Sequence, residues 1–437
     1  MPQMNETELR GIVESVVRKM LGGAPPASAP ERPKASSYSP CPRGVYETVD
    51  AAVQAAREAF RVLNSMTLEQ RAKIISAIRA CGIKNAREFA ERTIKETGMG
   101  RLQDKLNKMF SSAERTPGIE DIATAAWSGD SGLTTEEMAP WGVIAAVTPS
   151  THPVPTLINN AISMVAAGNA VVFAPHPASK NVFLYAIGLI NDAITEAGGP
   201  ENILVTTAEP TIESAAELFK HPGAPLLTVT GGPGVVKAAM QSTKKVIAAG
   251  PGNPPVVVDE TADIQQAVAD IIEGAGFDNN ILCVAEKEIF VVDSVFDIFM
   301  REMALQGQVK LERPQIEILA KESFVPSKGG HFVLNRELVG RCACVLAERI
   351  GMKLTEETRL LFGEVEHDHI FVMEEQMMPF LPIVRVPDVR RGIELAIMAE
   401  GARFHTALMH SRNIASMHEM ARRVNITIFI KNGSCLA

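Results

Sequence analysis

Short β-branched segments alternate with helical segments along much of the chain, and this alternation limits the possible folds more than any other feature. WGVIAAVTP (141–149) is typical of a strand, and a helical pattern (158–168) and a second strand (170–174) follow it. The alternation continues through NVFLYAIGLINDAITEAGG, NILVTTA, ESAAELFKH, PLLTVTGG, VVKAAMQST and KVIAAG. Repeated strand–helix units predict a parallel, doubly wound α/β sheet with a site at the carboxyl ends of its strands.

A second set of strands and helices begins at PPVVVDE (254–260). The glycines and prolines of AAGPGNPP (248–255) turn the chain sharply between the two sets. We therefore predict one α/β domain over 43–250 and a second α/β domain over 251–420.

Two helices are predicted before the first long strand. Thr48 is a candidate N-cap for a helix over 49–63, and Thr67 with Gln70 forms a capping box for the next helix. Both signals are local, because the capping side chain and the backbone it binds lie three residues apart.

The N-terminal region differs in composition from the rest of the chain. Residues 5–21 carry apolar side chains at helical spacing, namely Leu9, Ile12, Val13, Val16, Val17, Met20 and Leu21. Residues 22–42 are rich in Pro, Ala and Ser and predict a flexible linker. The amphipathic helix either folds back onto the body or docks on a partner, and its linker favours docking.

Composition excludes several function classes. The 437 residues predict two or three domains, and the net charge of −8 with no clustered basic face argues against a nucleic-acid partner. No apolar run is long enough for a membrane span, and no secretory signal precedes the first helix, so we expect a cytoplasmic protein. The six cysteines lack zinc or thioredoxin spacing, no metal site is expected, and Cys342 and Cys344 are predicted to be buried thiols.

Cys283 is the strongest candidate for a reactive residue. It follows the turn-forming residues Asp278, Asn279 and Asn280, whose polar groups and backbone N–H groups are expected to lower the pKa of the thiol and to bind an oxyanion. A packed, unreactive thiol is the alternative. A second candidate is the strand-to-helix turn at Gly231 and Gly232, which suits a nucleotide but is a common type of turn.

Many segments together resemble the aldehyde dehydrogenase superfamily, and within it the coenzyme A-acylating aldehyde dehydrogenases of bacterial microcompartments, of the ethanolamine- and propanediol-utilisation type. The resemblance is carried by ETGMG (96–100), TPGIEDI (116–122), PWGVIAAVTPST (140–151), INNAISMVAAGNAVVFAPHP (158–177), GGPENILVT (198–206), VTGGPGVV (229–236), AAGPGNPPVVVDETAD (248–263), FDNNILCVAEKE (277–288), MMPFLPIVRV (377–386), HTALMHSRN (405–413) and IFIKNG (428–433). It implies a Rossmann-type cofactor domain, an α/β catalytic domain and a β oligomerisation arm, the last over 119–138.

The resemblance also implies the roles of individual residues. Cys283 matches the nucleophile that forms a thioester from an aldehyde, with NAD as hydride acceptor and coenzyme A as acyl acceptor. Thr151 or His152 lies where an oxyanion-stabilising side chain is expected, although close relatives usually have Asn in place of this histidine. Residues matched to the cofactor slot are Pro149, Pro175, His176, Pro177, Gly231, Gly232, Gly250 and Met378.

One difference from the hydrolytic members of the superfamily bears on the reaction. Those enzymes use a Glu in an E-L-G-G-K segment to activate water, whereas Ala249 or Gly250 stands at that place here. Without this base, the thioester should persist until a thiol takes the acyl group. Ping-pong kinetics follow, because both nucleotides share one groove. Hydrolysis of the thioester, or a reaction with an acyl phosphate, is the alternative within this fold.

The remaining expectations concern substrate and assembly. GGPGVV and AEPT are more similar to the propanediol branch, so propionaldehyde is the first expected substrate and acetaldehyde the second. Residues 5–21 resemble an encapsulation peptide that binds a shell protein, which places the chain in a microcompartment lumen as a homo-oligomer, a dimer or a dimer of dimers. The strand within 421–437 is expected to pair with the arm or a neighbour's sheet. Relatives continue beyond it, so an inactive or scaffolding cargo protein is the other reading.

Overall fold

The structure is a computed structural model that describes residues 43–326 and 332–436. The predicted helix over 5–21 and the predicted linker over 22–42 lie outside the described residues. Among the helices of the described part, none is both long and apolar enough to cross a membrane.

The helices, in chain order, cover both α/β sets. They are α1 (Val49–Asn64), α2 (Leu68–Lys84), α3 (Ala86–Thr97), α4 (Leu102–Arg115), α5 (Pro153–Ala166), α6 (Lys180–Glu196), α7 (Ile212–Lys220), α8 (Pro233–Met240), α9 (Ile264–Gly276), α10 (Asp293–Leu305), α11 (Arg313–Ser323), α12 (Ala343–Arg349), α13 (Ile370–Met373), α14 (Val389–Glu400) and α15 (Ile414–Arg423).

The strands, in chain order, form two large parallel sheets and two hairpins. They are β1 (Val45–Tyr46), β2 (Ala125–Gly129), β3 (Gly132–Glu136), β4 (Val143–Thr148), β5 (Ala170–Pro175), β6 (Leu204–Thr207), β7 (Leu226–Thr230), β8 (Lys245–Ala249), β9 (Pro255–Val258), β10 (Glu288–Val292), β11 (Val309–Lys310), β12 (Phe324–Pro326), β13 (Phe332–Leu334), β14 (Leu361–Glu364), β15 (Phe380–Val386), β16 (Thr406–His410) and β17 (Ile428–Lys431).

Helix starts follow the capping residues that the sequence indicates. The Thr48 hydroxyl accepts a hydrogen bond from the backbone N–H of Ala51, at 3.2 Å, and α1 begins at the next residue, Val49. Thr67 and Gln70 form the predicted capping box at the start of α2. These bonds satisfy N–H groups that the first helical turn leaves without partners.

The first sheet has the strand order β1-β6-β5-β4-β7-β8, and all of its pairs are parallel. Its strands β4, β5 and β6 are completely buried, because helices pack on both faces of the sheet. This burial explains why these strands are continuously apolar instead of alternating. The strand order reverses direction beside β4, which is where α/β sheets open a crevice for a ligand.

The second sheet has the order β11-β14-β15-β10-β9-β16-β17, again with parallel pairs throughout. The predicted boundary at 250 falls in the connection between the two sheets. The α/β fold class is confirmed, whereas the assignment of a cofactor domain and a catalytic domain stays a prediction.

The predicted arm contains a hairpin whose strands, β2 and β3, are exposed along their whole length. Its contact with a neighbouring subunit stays a prediction. The last strand, β17, does not pair with this arm. It pairs in parallel with β16, with Thr406 opposite Ile428, because the chain returns through α15 and completes a strand–helix–strand unit in its own sheet.

Cys342 and Cys344 are joined by a disulfide, so the prediction of two buried thiols is wrong. Cys342 is the N-cap of α12, and the first helical turn brings Cys344 back towards it. Both side chains are only partly buried.

Packing in the second sheet gives a stability prediction with a matched control. Leu408 on β16 is fully buried, whereas Leu305 at the end of α10 is 73% exposed. Leu408→Ala should lower the free energy of unfolding by about 2–5 kcal/mol, because it leaves a cavity. Leu305→Ala should change it by roughly 0.5 kcal/mol or less. Urea unfolding of both variants checks this, and equal effects would contradict the described core.

Candidate active site

A left-handed turn precedes Cys283. Asp278, Asn279 and Asn280 have φ values of 50°, 57° and 62°, and all three are buried. Consecutive non-glycine residues in this conformation cost free energy, although Asp and Asn tolerate it best. The turn therefore needs strong contacts to hold it between α9 and β10.

The Asp278 carboxylate supplies the first set of these contacts. It accepts hydrogen bonds from the backbone N–H of Arg101 and from Nζ of Lys105, each at 2.8 Å, and from Nζ of Lys108. Burial raises the pKa of Asp278, but Lys108 and Lys105 outweigh that effect and hold the pKa below its usual value. The carboxylate is thus a buried anion between two ammonium groups from helix α4.

The two asparagines of the turn bind backbone groups. Nδ2 of Asn279 donates to the carbonyl of Gly340 at 2.8 Å, and Nδ2 of Asn280 donates to the carbonyls of Ala275 and Glu286 at 2.9 and 3.0 Å. Nζ of Lys287 donates to the carbonyl of Asn280 at 2.6 Å. These side chains therefore fix the shape of the turn.

Cys283 follows the turn and is half-buried. Burial raises the pKa of its thiol and the carboxylate of Glu375 raises it further, while Lys287 opposes both. The expectation that the asparagines lower this pKa is wrong, because their amides are used on backbone carbonyls. The thiol needs deprotonation at the moment of reaction instead of being a stable thiolate.

Several residues near Cys283 were not predicted from the sequence. Burial raises the pKa of Glu375, against the opposing charges of Lys287 and Arg403. A Cβ built at Gly252 would overlap the carbonyl oxygen of Cys283 and lie 3.0 Å from Cγ of His405. Gly252 thus lets its loop pass between the Cys283 backbone and the His405 ring. The charges that act on the thiol are those of Glu375 and Lys287.

His152 lies at the start of α5 as its N-cap residue, directly after Thr151, and both are half-buried. Nζ of Lys108 lies 3.3 Å from Nδ1 of His152. Burial lowers the pKa of His152 well below its usual value, and the charges of Lys108 and Lys105 lower it further. The ring is therefore neutral at pH 7, and Lys108 connects it to the turn before Cys283.

All of the predicted cofactor residues except Met378 lie at the ends of four adjacent strands of the first sheet. Pro149 follows β4, Gly231 and Gly232 follow β7, and Gly250 follows β8. Pro175 ends β5, and His176 and Pro177 follow it directly. Because parallel strands end at one edge, the structure brings these residues to the same side of the sheet.

Two glycines at this edge have open space around them. A Cβ at Gly232 or Gly250 would meet no atom within 4 Å, so neither glycine is required by packing of the described residues. Gly232 is the N-cap of α8, whose free N–H groups suit a phosphate. Nδ1 of His176 accepts from the backbone N–H of Ala178 at 3.1 Å and so shapes the loop after β5. The residues present fit a dinucleotide.

Met378 differs from the other predicted cofactor residues. Its side chain is completely buried in a hydrophobic cluster with Phe371 and Phe380, and the Ser323 hydroxyl donates to its Sδ at 3.3 Å. The structure gives it a role in the core instead of the predicted cofactor contact. Glu375, three residues earlier, is the residue of this segment whose charge acts on the thiol.

Comparisons with known proteins agree with this architecture. The Aldehyde dehydrogenase family model matches residues 32–316. The chain is 50% identical to acetaldehyde dehydrogenase (acetylating) EutE of Salmonella typhimurium, over 99% of this chain and 91% of that protein.

Two solved structures are similar over nearly the whole chain. A propionaldehyde dehydrogenase from the Clostridium phytofermentans fucose utilisation bacterial microcompartment is 43% identical with a TM-score of 0.87, and the match covers 90% of this chain and 89% of that one. The propionaldehyde dehydrogenase of Rhodopseudomonas palustris with bound propionyl-CoA is 42% identical with a TM-score of 0.87, covering 90% and 86%.

The charges around the thiol give a prediction that needs no substrate. Glu375→Gln should speed alkylation of Cys283 by iodoacetamide at pH 8.5, because removing the negative charge lowers the thiol pKa and increases the thiolate fraction. Glu374→Gln is the control, since Glu374 is exposed and adjacent in sequence. Peptide mass spectrometry follows the rate, and slower or unchanged labelling in Glu375→Gln would refute the assigned electrostatics.

Proposed function

Because the chain belongs to the aldehyde dehydrogenase family, we propose that it oxidises a short aldehyde and transfers the resulting acyl group to coenzyme A, with Cys283 as nucleophile. The observation that carries this proposal is the position of Cys283, after a turn held by buried charges, where the charges of Glu375 and Lys287 act on its thiol. The acylating relative and the neighbour with bound propionyl-CoA support the acyl acceptor.

The Cys283 thiolate attacks the aldehyde carbon and forms a thiohemiacetal. Glu375 is a candidate to take the thiol proton, because its raised pKa lies nearer neutrality than that of an ordinary carboxylate. The new oxyanion is stabilised by the backbone N–H of Cys283 and by His152 or Thr151. A neutral His152 suits this task as a hydrogen-bond donor that keeps no charge in the site.

The turns at Pro175–Pro177 and Gly231–Gly232 would hold NAD, with a phosphate at the start of α8. NAD supplies the acceptor for the hydride that leaves the thiohemiacetal. The coenzyme A sulfur then attacks the acyl carbon of the Cys283 thioester and takes the acyl group. The bond to Cys283 breaks, and the proton lost by the coenzyme A thiol restores the cysteine thiol. No carboxylate stands at Ala249 or Gly250 to activate water against the thioester.

Identity favours acetaldehyde as the first substrate. The chain is 50% identical to the acetaldehyde relative and 43% identical to the propionaldehyde neighbour. This order is the reverse of that suggested by the motifs GGPGVV and AEPT, and propionaldehyde is the second substrate.

We also propose that the chain works as a homo-oligomer in a microcompartment lumen. The exposed hairpin carries Trp127 and Leu133, which are 56% and 70% exposed, and a second copy would cover them. The amphipathic pattern over 5–21 suits binding to a shell protein, and the microcompartment origin of a structural neighbour supports this location.

An assay of NADH formation tests the reaction. Acetaldehyde and NAD should give sustained turnover only with coenzyme A, and Cys283→Ala should abolish it, because the acyl group has no other carrier. Cys81→Ala, at a buried cysteine of α2, is the control for general thiol effects. Sustained turnover without coenzyme A would establish hydrolysis, and no turnover in either condition would favour a scaffolding role.

Fusion of residues 1–42 to a fluorescent protein tests encapsulation. Co-expressed with a microcompartment shell, the fusion should form foci, because the apolar pattern over 5–21 predicts a helix side that binds the shell. Val13→Asp together with Val16→Asp should disperse them, whereas Glu14→Asp is the conservative control. Foci that survive the double substitution would refute binding through this helix.

A further inference from the structure

Lys108 lies where three parts of the chain meet. Its helix, α4, packs against the turn at Asp278 and the loop that ends at His152, and its Nζ is within hydrogen-bond distance of both side chains. The lysine side chain is 5% exposed and Asp278 is fully buried. Water therefore cannot substitute freely for either of the two contacts.

We propose that Lys108 is a positioning residue that donates to Nδ1 of His152 and so holds the neutral ring in the tautomer that carries its hydrogen on Nε2. This inference rests on the proposed function, in which that N–H donates to the oxyanion on the aldehyde carbon. It adds a residue outside the predicted site, on a helix that the sequence motifs do not connect with the chemistry.

In the ammonium form of Lys108 the direction of the bond is fixed, because an ammonium has only donors. A neutral amine also has two hydrogens for the two acceptors, the Asp278 carboxylate and Nδ1 of His152, and in addition a lone pair that can accept, so the tautomer of His152 distinguishes the two directions. Burial lowers the pKa of Lys108 to about 7, against the attraction of Asp278, so both forms are relevant near neutrality. A neutral imidazole has one N–H, and an Nδ1 that accepts leaves that hydrogen on Nε2.

Lys105 is the matched control for Lys108, because it supports the same turn without a described contact to His152. It also donates to Asp278, at 2.8 Å, and its side chain is 2% exposed. The described contacts include none between Lys105 and the His152 ring. Lys105→Met and Lys108→Met thus each remove one buried cation from Asp278, but only the second removes the partner of His152.

The first test reads the tautomer directly. Solid-state NMR of the full chain with ¹⁵N-labelled histidine, with the His152 signals assigned by their loss in His152→Asn, should show the Nε2–H form in the unmodified protein and in Lys105→Met. Lys108→Met should shift the ring towards a mixture of tautomers. An unchanged ring in Lys108→Met, or an Nδ1–H form in the unmodified protein, overturns the proposal.

The second test is a double-mutant cycle on kcat in the coenzyme A-dependent assay. Loss of one oxyanion donor costs about 10²–10³-fold, so partial loss through the wrong tautomer should cost roughly 10- to 100-fold in Lys108→Met. In the His152→Asn background, Lys108→Met should lower kcat only as much as Lys105→Met does, because an amide donor has no tautomer to select.

If Lys108→Met lowers kcat by the same factor with and without His152→Asn, the inference is overturned. Lys108 would then only support the turn. Circular dichroism melts of each variant distinguish misfolding from lost catalysis. If the unmodified chain has no coenzyme A-dependent turnover, the proposed function fails, while the NMR test still decides whether Lys108 sets the tautomer.

Discussion

The candidate site depends on one buried carboxylate. Asp278 adopts a left-handed conformation and is stabilised there by Lys105, Lys108 and the backbone of Arg101. An isolated charge of this kind would be very costly to bury, and two ammonium groups with a backbone donor offset that cost. The cations are in turn held by a helix, so the geometry of the thiol loop is set by α4, which lies in the other α/β region of the chain.

Different charges act on the turn and on the thiol. Lys105 and Lys108 act on the pKa values of Asp278 and His152. The pKa of the Cys283 thiol is set mainly by burial, Glu375 and Lys287. Burial and Glu375 thus favour the protonated form of the Cys283 thiol. If Cys283 is the nucleophile, as proposed, this limits its side reactions with other electrophiles.

How much the sequence could predict depends on the distance between interacting residues. The cap at Thr48 and the box at Thr67 were predictable because each involves neighbours along the chain. Cys283 and the turn at Gly231 and Gly232 were candidates from their local sequence, and the family motifs gave them their predicted roles. The direction of the Cys283 pKa shift was not predictable, because Asn279 and Asn280 donate to backbone carbonyls that no sequence motif marks. Lys105 and Lys108 left one overlooked signal, since both lie on the buried face of α4 among apolar residues.

The pairing of Lys105 with Asp278 spans 173 positions of the chain. Closing so long a segment is entropically costly, so a contact of this kind forms late in folding. During synthesis, the strands β4 to β6 leave the ribosome well before Asp278 does, and domains generally fold as they emerge. The first sheet can thus be in place while the loop of Cys283 is still without its cations. On this order of assembly, the helix that carries the two lysines is ready before the loop whose shape they set.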